Sequence, residues 1–152
     1  VSEHLALTKE QILVDAYAGV GTFAAILASS VKKVFAIEES ASAVSDAASA
    51  LSDVENLEFL LGKTEKVLGE IDDDIDALIL DPPRIGCHAD TLKAVIDSRP
   101  LRVAYVSCDP SSLARDLDIL VKGNYRVINV QPVDMFPQTY HVECVASLSV
   151  SS

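Results

Sequence analysis

Apolar residues in this chain fall into short blocks separated by stretches with helical spacing. Residues 12–16, 33–37, 57–61, 77–80 and 101–107 are the blocks, each of strand length and bounded by polar or small residues. The block at 77–80 is wholly apolar, as strands buried on both faces of a parallel sheet are. Between the blocks, helices are predicted over 21–29, 41–51, 65–68, 89–96 and 111–121. Val44, Ala47, Ala48 and Leu51 share one face of the second. The first is apolar nearly all round, which predicts a buried helix. Two more strands, 125–132 and 141–150, close the chain with no long helix between them, so they are expected to pair antiparallel. The succession predicts an α/β fold: a Rossmann-like, doubly wound, mostly parallel sheet of about seven strands with helices on both faces. Neither a repeat nor an interior linker divides the 152 residues, so a single domain over 1–152 is expected.

Strand ends are where such sheets bind ligands, and three of them carry unusual residues. In Tyr105-Val106-Ser107-Cys108-Asp109-Pro110 the strand runs into a helix start, with Asp109 a good N-cap and Pro110 a good first helical residue. The thiol of Cys108 thus lies beside a helix N-terminus, whose dipole favours thiolate over thiol. Cys108 is therefore a candidate nucleophile. After the first strand, Asp15-Ala16-Tyr17-Ala18-Gly19-Val20-Gly21-Thr22 forms a glycine turn open to close backbone approach. Asp15 before the glycines suits a cationic or hydroxyl-bearing ligand better than a pyrophosphate. Glu38 ends the second strand, where an acid can accept hydrogen bonds from ribose hydroxyls. Together these predict an adenosyl cofactor, with Glu39 a solvated neighbour. After the fourth strand, Leu80-Asp81-Pro82-Pro83-Arg84-Ile85-Gly86 contains two prolines that fix φ and remove two donors. This loop presents Asp81 and Arg84 on a stiff backbone.

These motifs, in this order, resemble the catalytic domain of the RNA 5-methyluridine methyltransferases. The resemblance rests on the glycine loop, Asp-Pro-Pro-Arg-x-Gly, Val106-Ser107-Cys108-Asp109-Pro110 with its following helix, and the closing Gln131-Pro132-Val133-Asp134-Met135-Phe136-Pro137-Gln138-Thr139-Tyr140-His141-Val142-Glu143-Cys144. It implies S-adenosyl-L-methionine as cofactor and structured transfer or ribosomal RNA as substrate. Cys108 would attack carbon 6 of a flipped-out uracil, and Glu143 would be the base that removes the carbon 5 proton. By the same resemblance Asp15, Tyr17, Gly19, Gly21, Glu38 and Asp81 fall to the cofactor, and Asp81 and Arg84 to the substrate base. Arg115 is matched without a role, and pairing with Asp116 or Asp118 on its own helix is the ordinary fate of such a residue. His141 is expected to shape the turn before the last strand.

Composition changes this picture in three ways. A net charge of -11 argues against the chain alone holding RNA, because phosphate binding needs a basic surface. The start at Val1 suggests a piece of a larger protein, whose RNA-binding parts would lie upstream. An isolated cofactor-binding domain, inactive alone, is the competing reading. Cys87, Cys108 and Cys144 form no Cys-x-x-Cys pair, so neither a metal site nor a disulfide framework is expected, and a reducing cytoplasm is the expected compartment. No apolar run reaches the roughly 18 residues of a membrane helix. One departure from the family pattern bears on rate: residue 109 is Asp where Asn is usual, and a carboxylate beside the thiol opposes its ionisation.

Overall fold

The computed structural model describes residue 1 and residues 5–134 and 142–151. Seven strands form one sheet in the order β3-β2-β1-β4-β5-β7-β6. They are β1 Ile12–Ala16, β2 Lys33–Glu38, β3 Leu57–Leu61, β4 Ala77–Leu80, β5 Arg102–Ser107, β6 Tyr125–Val133 and β7 Glu143–Val150. The first five run parallel, and β7 inserts antiparallel between β5 and β6. This is the predicted doubly wound, mostly parallel α/β sheet, with the last two strands paired antiparallel as expected.

Side chains alternate across the sheet, and each face has its own core. Val14, Ile37, Leu78, Leu80 and Tyr105 point to one face, under Leu92, Leu113 and Leu120. Those three residues come from α4 Ala89–Ser98 and α5 Pro110–Lys122. A short helix, α3 Thr64–Val67, continues as a 3₁₀ turn over Leu68–Glu70 and packs on the same face. Leu13, Val34, Ala36, Ile79 and Ala104 point to the other face, against Ala24, Leu27 and Ala28. That side carries α1 Thr22–Ala28 and α2 Ala41–Ala50.

Two expectations need correction here. Helix α1 is not buried all round: Ile26 is 67% exposed, because the helix touches the sheet on one face only. On α2 only Ala47 of the predicted apolar face is buried. Boundaries shift elsewhere by a few residues. Helix α4 runs on to Ser98, because Arg99 can adopt the left-handed conformation that ends it. Among the described residues no helix is long and apolar enough to cross a membrane. The expected turn-shaping role of His141 falls outside the described residues.

Candidate active site at the carboxyl edge of the sheet

Helix α5 begins as its sequence requires. The Asp109 carboxylate accepts the Ser112 amide at 2.7 Å, and Pro110 opens the first turn. This hydrogen bond, with the nearby Arg84 guanidinium contributing, holds the Asp109 carboxyl below the usual carboxylate range. The carboxylate beside the thiol is thus committed to the helix end, with a cation near it. Cys108 is half-buried between the end of β5 and this cap.

The position of β7 decides which residues flank the end of β5. Ser107 pairs with Cys144, the last pair of that register, so Cys108 and Glu143 each stand one residue beyond it. Glu143 is half-buried, and its charge helps to raise the Asp81 carboxyl, after the larger effect of burial. Asp81 lies just past β4, where its amide donates to the Ala16 carbonyl at 3.5 Å. Asp81 keeps an exposed surface while its carboxyl is partly withdrawn from water, so it is not the fully buried lone carboxylate that its place after an apolar strand suggests. Arg84 is exposed on the same loop, close enough to Asp109 to act on its charge. Cys108, Glu143, Asp81 and Arg84 are therefore gathered along the edge formed by β4, β5 and β7.

The glycine turn lies at the neighbouring edge. Tyr17, Gly19 and Gly21 all have positive φ, of 64°, 56° and 80°. A side chain at Gly21 would meet Phe59 at 2.7 Å, so this glycine is required by packing. Around Gly19 there is nothing within 4 Å of where a side chain would begin, so the backbone there is open to a ligand. Glu38 is pre-aimed by the backbone: its two oxygens accept from Gly19 at 2.9 Å and from Ser40 at 2.8 Å. Each retains a lone pair for a hydroxyl. The Tyr17 hydroxyl donates to Thr91 at 3.2 Å, and Thr91 donates to Glu65, also at 3.2 Å. A cavity of about 760 Å³ opens here, lined by Tyr17, Glu38, Glu39, Lys63, Pro83 and Cys87 among others. Its size is that of a small-molecule cofactor site. Of the residues expected to bind cofactor only Tyr17 and Glu38 line it; Asp15, Gly19, Gly21 and Asp81 do not, nor do Arg84, Cys108 and Glu143.

Asp15 carries the clearest mark of a ligand. It is 1% exposed. One oxygen accepts the Ala24 amide at 2.9 Å and so caps α1 from the neighbouring strand. The other has no hydrogen-bond partner among the described residues. Burial, opposed in part by that hydrogen bond and reinforced by Asp81, pushes the carboxyl up to about 7. An unpartnered buried carboxylate oxygen is costly, and a cationic group placed against it would remove the cost. A carboxyl raised on folding takes up protons as the chain folds. Its penalty is absent at acid pH, grows as pH rises, and is complete above about 7. Asp15→Asn is thus expected to raise the melting temperature at pH 8 and to match the parent near pH 4. Thermal melts at the two pH values check this, and equal melting temperatures at pH 8 would contradict it.

Sequence comparison places these features in a known group. A family model described as tRNA (Uracil-5-)-methyltransferase matches residues 66–150. The chain is 44% identical over 97% of its length to an uncharacterized RNA methyltransferase of Oceanobacillus iheyensis, covering 33% of that protein. It is 46% identical over 95% of its length to another from Gloeobacter violaceus, covering 32%. The chain thus spans about a third of the length of the curated relatives it matches. Among solved structures, a Pyrococcus abyssi tRNA (uracil-54, C5)-methyltransferase in complex with S-adenosyl-L-homocysteine superposes with a TM-score of 0.80 at 32% identity, over 96% of this chain and 36% of that one. An rRNA methylase of Streptococcus thermophilus shares the fold, with a TM-score of 0.80 at 23% identity, over 99% of this chain and 93% of that one.

Proposed function

Because this chain belongs to the tRNA (uracil-5-)-methyltransferase family, we propose that it forms the catalytic domain of an enzyme methylating carbon 5 of a uridine in transfer or ribosomal RNA. The observation that supports this reading is the register between β5 and β7, whose last pair is Ser107 with Cys144, one residue short of both Cys108 and Glu143. Carbon 5 of uracil is a poor nucleophile until a group adds to carbon 6. The Cys108 sulfur makes that bond, and the electron pair moves to carbon 5. Once carbon 5 bears the methyl group it still holds its original proton. The Glu143 carboxylate takes that proton, the carbon 5–carbon 6 double bond re-forms, and the Cys108 thiolate leaves.

S-adenosyl-L-methionine, when bound, supplies the methyl group as an electrophile. The residues present fit it. The unpartnered oxygen of Asp15 and the raised carboxyl of Asp81 both suit a positively charged ligand. Glu38 suits ribose hydroxyls, and the open backbone at Gly19 leaves room for the cofactor's close approach. Asp81 and Arg84, on the stiff proline loop, face the uracil side.

The net charge of -11 favours a second reading for the chain in isolation: a cofactor-binding domain that does not hold RNA. The two readings part in one assay. The complete gene product is incubated with RNA and methyl-labelled S-adenosyl-L-methionine, and the RNA is digested to nucleosides. Label in 5-methyluridine is the expected result. Label in an amino-methylated purine, or cofactor binding without transfer, would overturn the proposal.

A further inference from the structure

Asp116 is a charged residue on the wrong face of its helix. It follows Leu113 by three positions and precedes Leu120 by four, so it shares their inward side, and it is 0% exposed. One oxygen accepts the Cys87 amide at 2.8 Å and also the Tyr105 hydroxyl. The other accepts Arg115 Nε at 2.8 Å. Arg115 Nη2 donates in turn to the Ile85 carbonyl at 2.9 Å, and the Ser112 hydroxyl donates to the Arg84 carbonyl at 3.0 Å. Residues 84, 85 and 87 of the proline loop are thus each tied to α5, the helix that starts two residues after Cys108. Gly86 closes the contact. Its φ is +83°, and a side chain there would stand 2.6 Å from both Arg115 Nη2 and Asp116 Oδ2.

A buried carboxylate is a poor way to gain stability. Its desolvation offsets most of its attraction to a partner, and apolar packing at the same place is often more stable. What it provides is direction, since three donors must converge on two oxygens. We infer that Asp116 is a positioning residue, which with Arg115 locks the loop bearing Asp81 and Arg84 onto the helix that presents Cys108. The clamp fixes the substrate-facing groups relative to the nucleophile before RNA arrives, while the cofactor loop is held separately through Glu38. Its catalytic consequence rests on the uracil-5 reading; the clamp itself does not.

The test uses two variants of the complete gene product. Asp116→Asn keeps the shape but turns an amide donor toward groups that are themselves donors. Gly86→Ala keeps Asp116 and wedges the contact apart. For both, the rate of covalent capture of RNA containing 5-fluorouridine, at saturating RNA, is expected to fall about 10- to 100-fold, the cost of a misplaced reacting group. Cofactor affinity is measured alongside by calorimetry, and capture is read at saturating cofactor, because Gly86 and Asp116 line the same cavity as Tyr17 and Glu38. Amide hydrogen exchange over residues 84–87 is expected to speed up at least about tenfold, with β1 unchanged. Parental capture rates in both variants would overturn the proposal, as would slower capture with unchanged hydrogen exchange over residues 84–87. Should the parent itself capture no RNA, the uracil-5 reading fails. Hydrogen exchange then still decides the clamp: faster exchange confined to 84–87 supports it, and unchanged exchange overturns it.

Discussion

Replacing Cys108 by alanine is expected to abolish methyl transfer by the complete gene product, by at least about 10⁴-fold in turnover. The magnitude follows from chemistry, since among the described residues no other cysteine is free to add to carbon 6. Cys87 and Cys144 are both buried. Burial pushes the Cys87 thiol up to about 12, with Asp116 adding to the effect, so it is almost entirely un-ionised at neutral pH. The Cys144 thiol is also raised, by burial first and then by Glu143. Neither can replace Cys108. Cofactor affinity is expected to be unchanged within about threefold, because Asp15, Gly19 and Glu38 belong to different elements and do not touch the thiol. Turnover and calorimetry together check this. Retained turnover in the alanine variant would remove Cys108 from the mechanism.

Glu143→Gln has a different signature. The amide is close to isosteric and cannot accept the carbon 5 proton. Addition to carbon 6 and methylation of carbon 5 remain possible, but the cysteine cannot leave. Turnover is expected to fall about 10²- to 10⁴-fold. With ordinary, unfluorinated RNA, a covalent protein–RNA species carrying the new methyl group is expected to accumulate. Denaturing gels with methyl-labelled cofactor read it directly. The same slow rate with no covalent species would mean that Glu143 acts before or during addition and not at elimination.

Much of this was legible in the chain because strands buried on both faces leave an unmistakable apolar block. Ala77–Leu80 sits in the middle of the sheet and is buried throughout. Asp15 was legible by its place before the glycines, where a carboxylate suits a cationic or hydroxyl-bearing ligand; its full burial within Ile-Leu-Val-Asp-Ala emerges only in the fold. Cys108 was legible because Asp109 and Pro110 announce a helix start. That the end of β5 lies beside the start of β7 was not legible from spacing. It depends on β7 inserting between β5 and β6, and local pattern is silent on which strands a final hairpin places at the centre. Asp116 is the instructive miss. Read as one of a helical arginine's ordinary partners, it is the core of a tether between two loops. Its signal was present: an acid spaced with Leu113, Leu117 and Leu120 lies on the buried face, where a carboxylate must have several donors. Those donors come from Cys87, Tyr105 and Arg115, and two of the three are remote in sequence, so only the folded chain reveals them.

The claim on which the account depends is a covalent bond between Cys108 and uracil, and one measurement addresses it directly. RNA carrying 5-fluorouridine is incubated with the complete gene product and S-adenosyl-L-methionine. After addition and methylation, carbon 5 holds fluorine and methyl and no proton, so Glu143 has nothing to remove and the adduct persists. The product is digested with protease and ribonuclease, and the cross-linked peptide is sequenced by mass spectrometry. One nucleotide-bearing peptide is expected, with the nucleotide and its added methyl group on Cys108. A nucleotide on any other residue, or no cross-linked peptide from a preparation that methylates ordinary RNA, would contradict it.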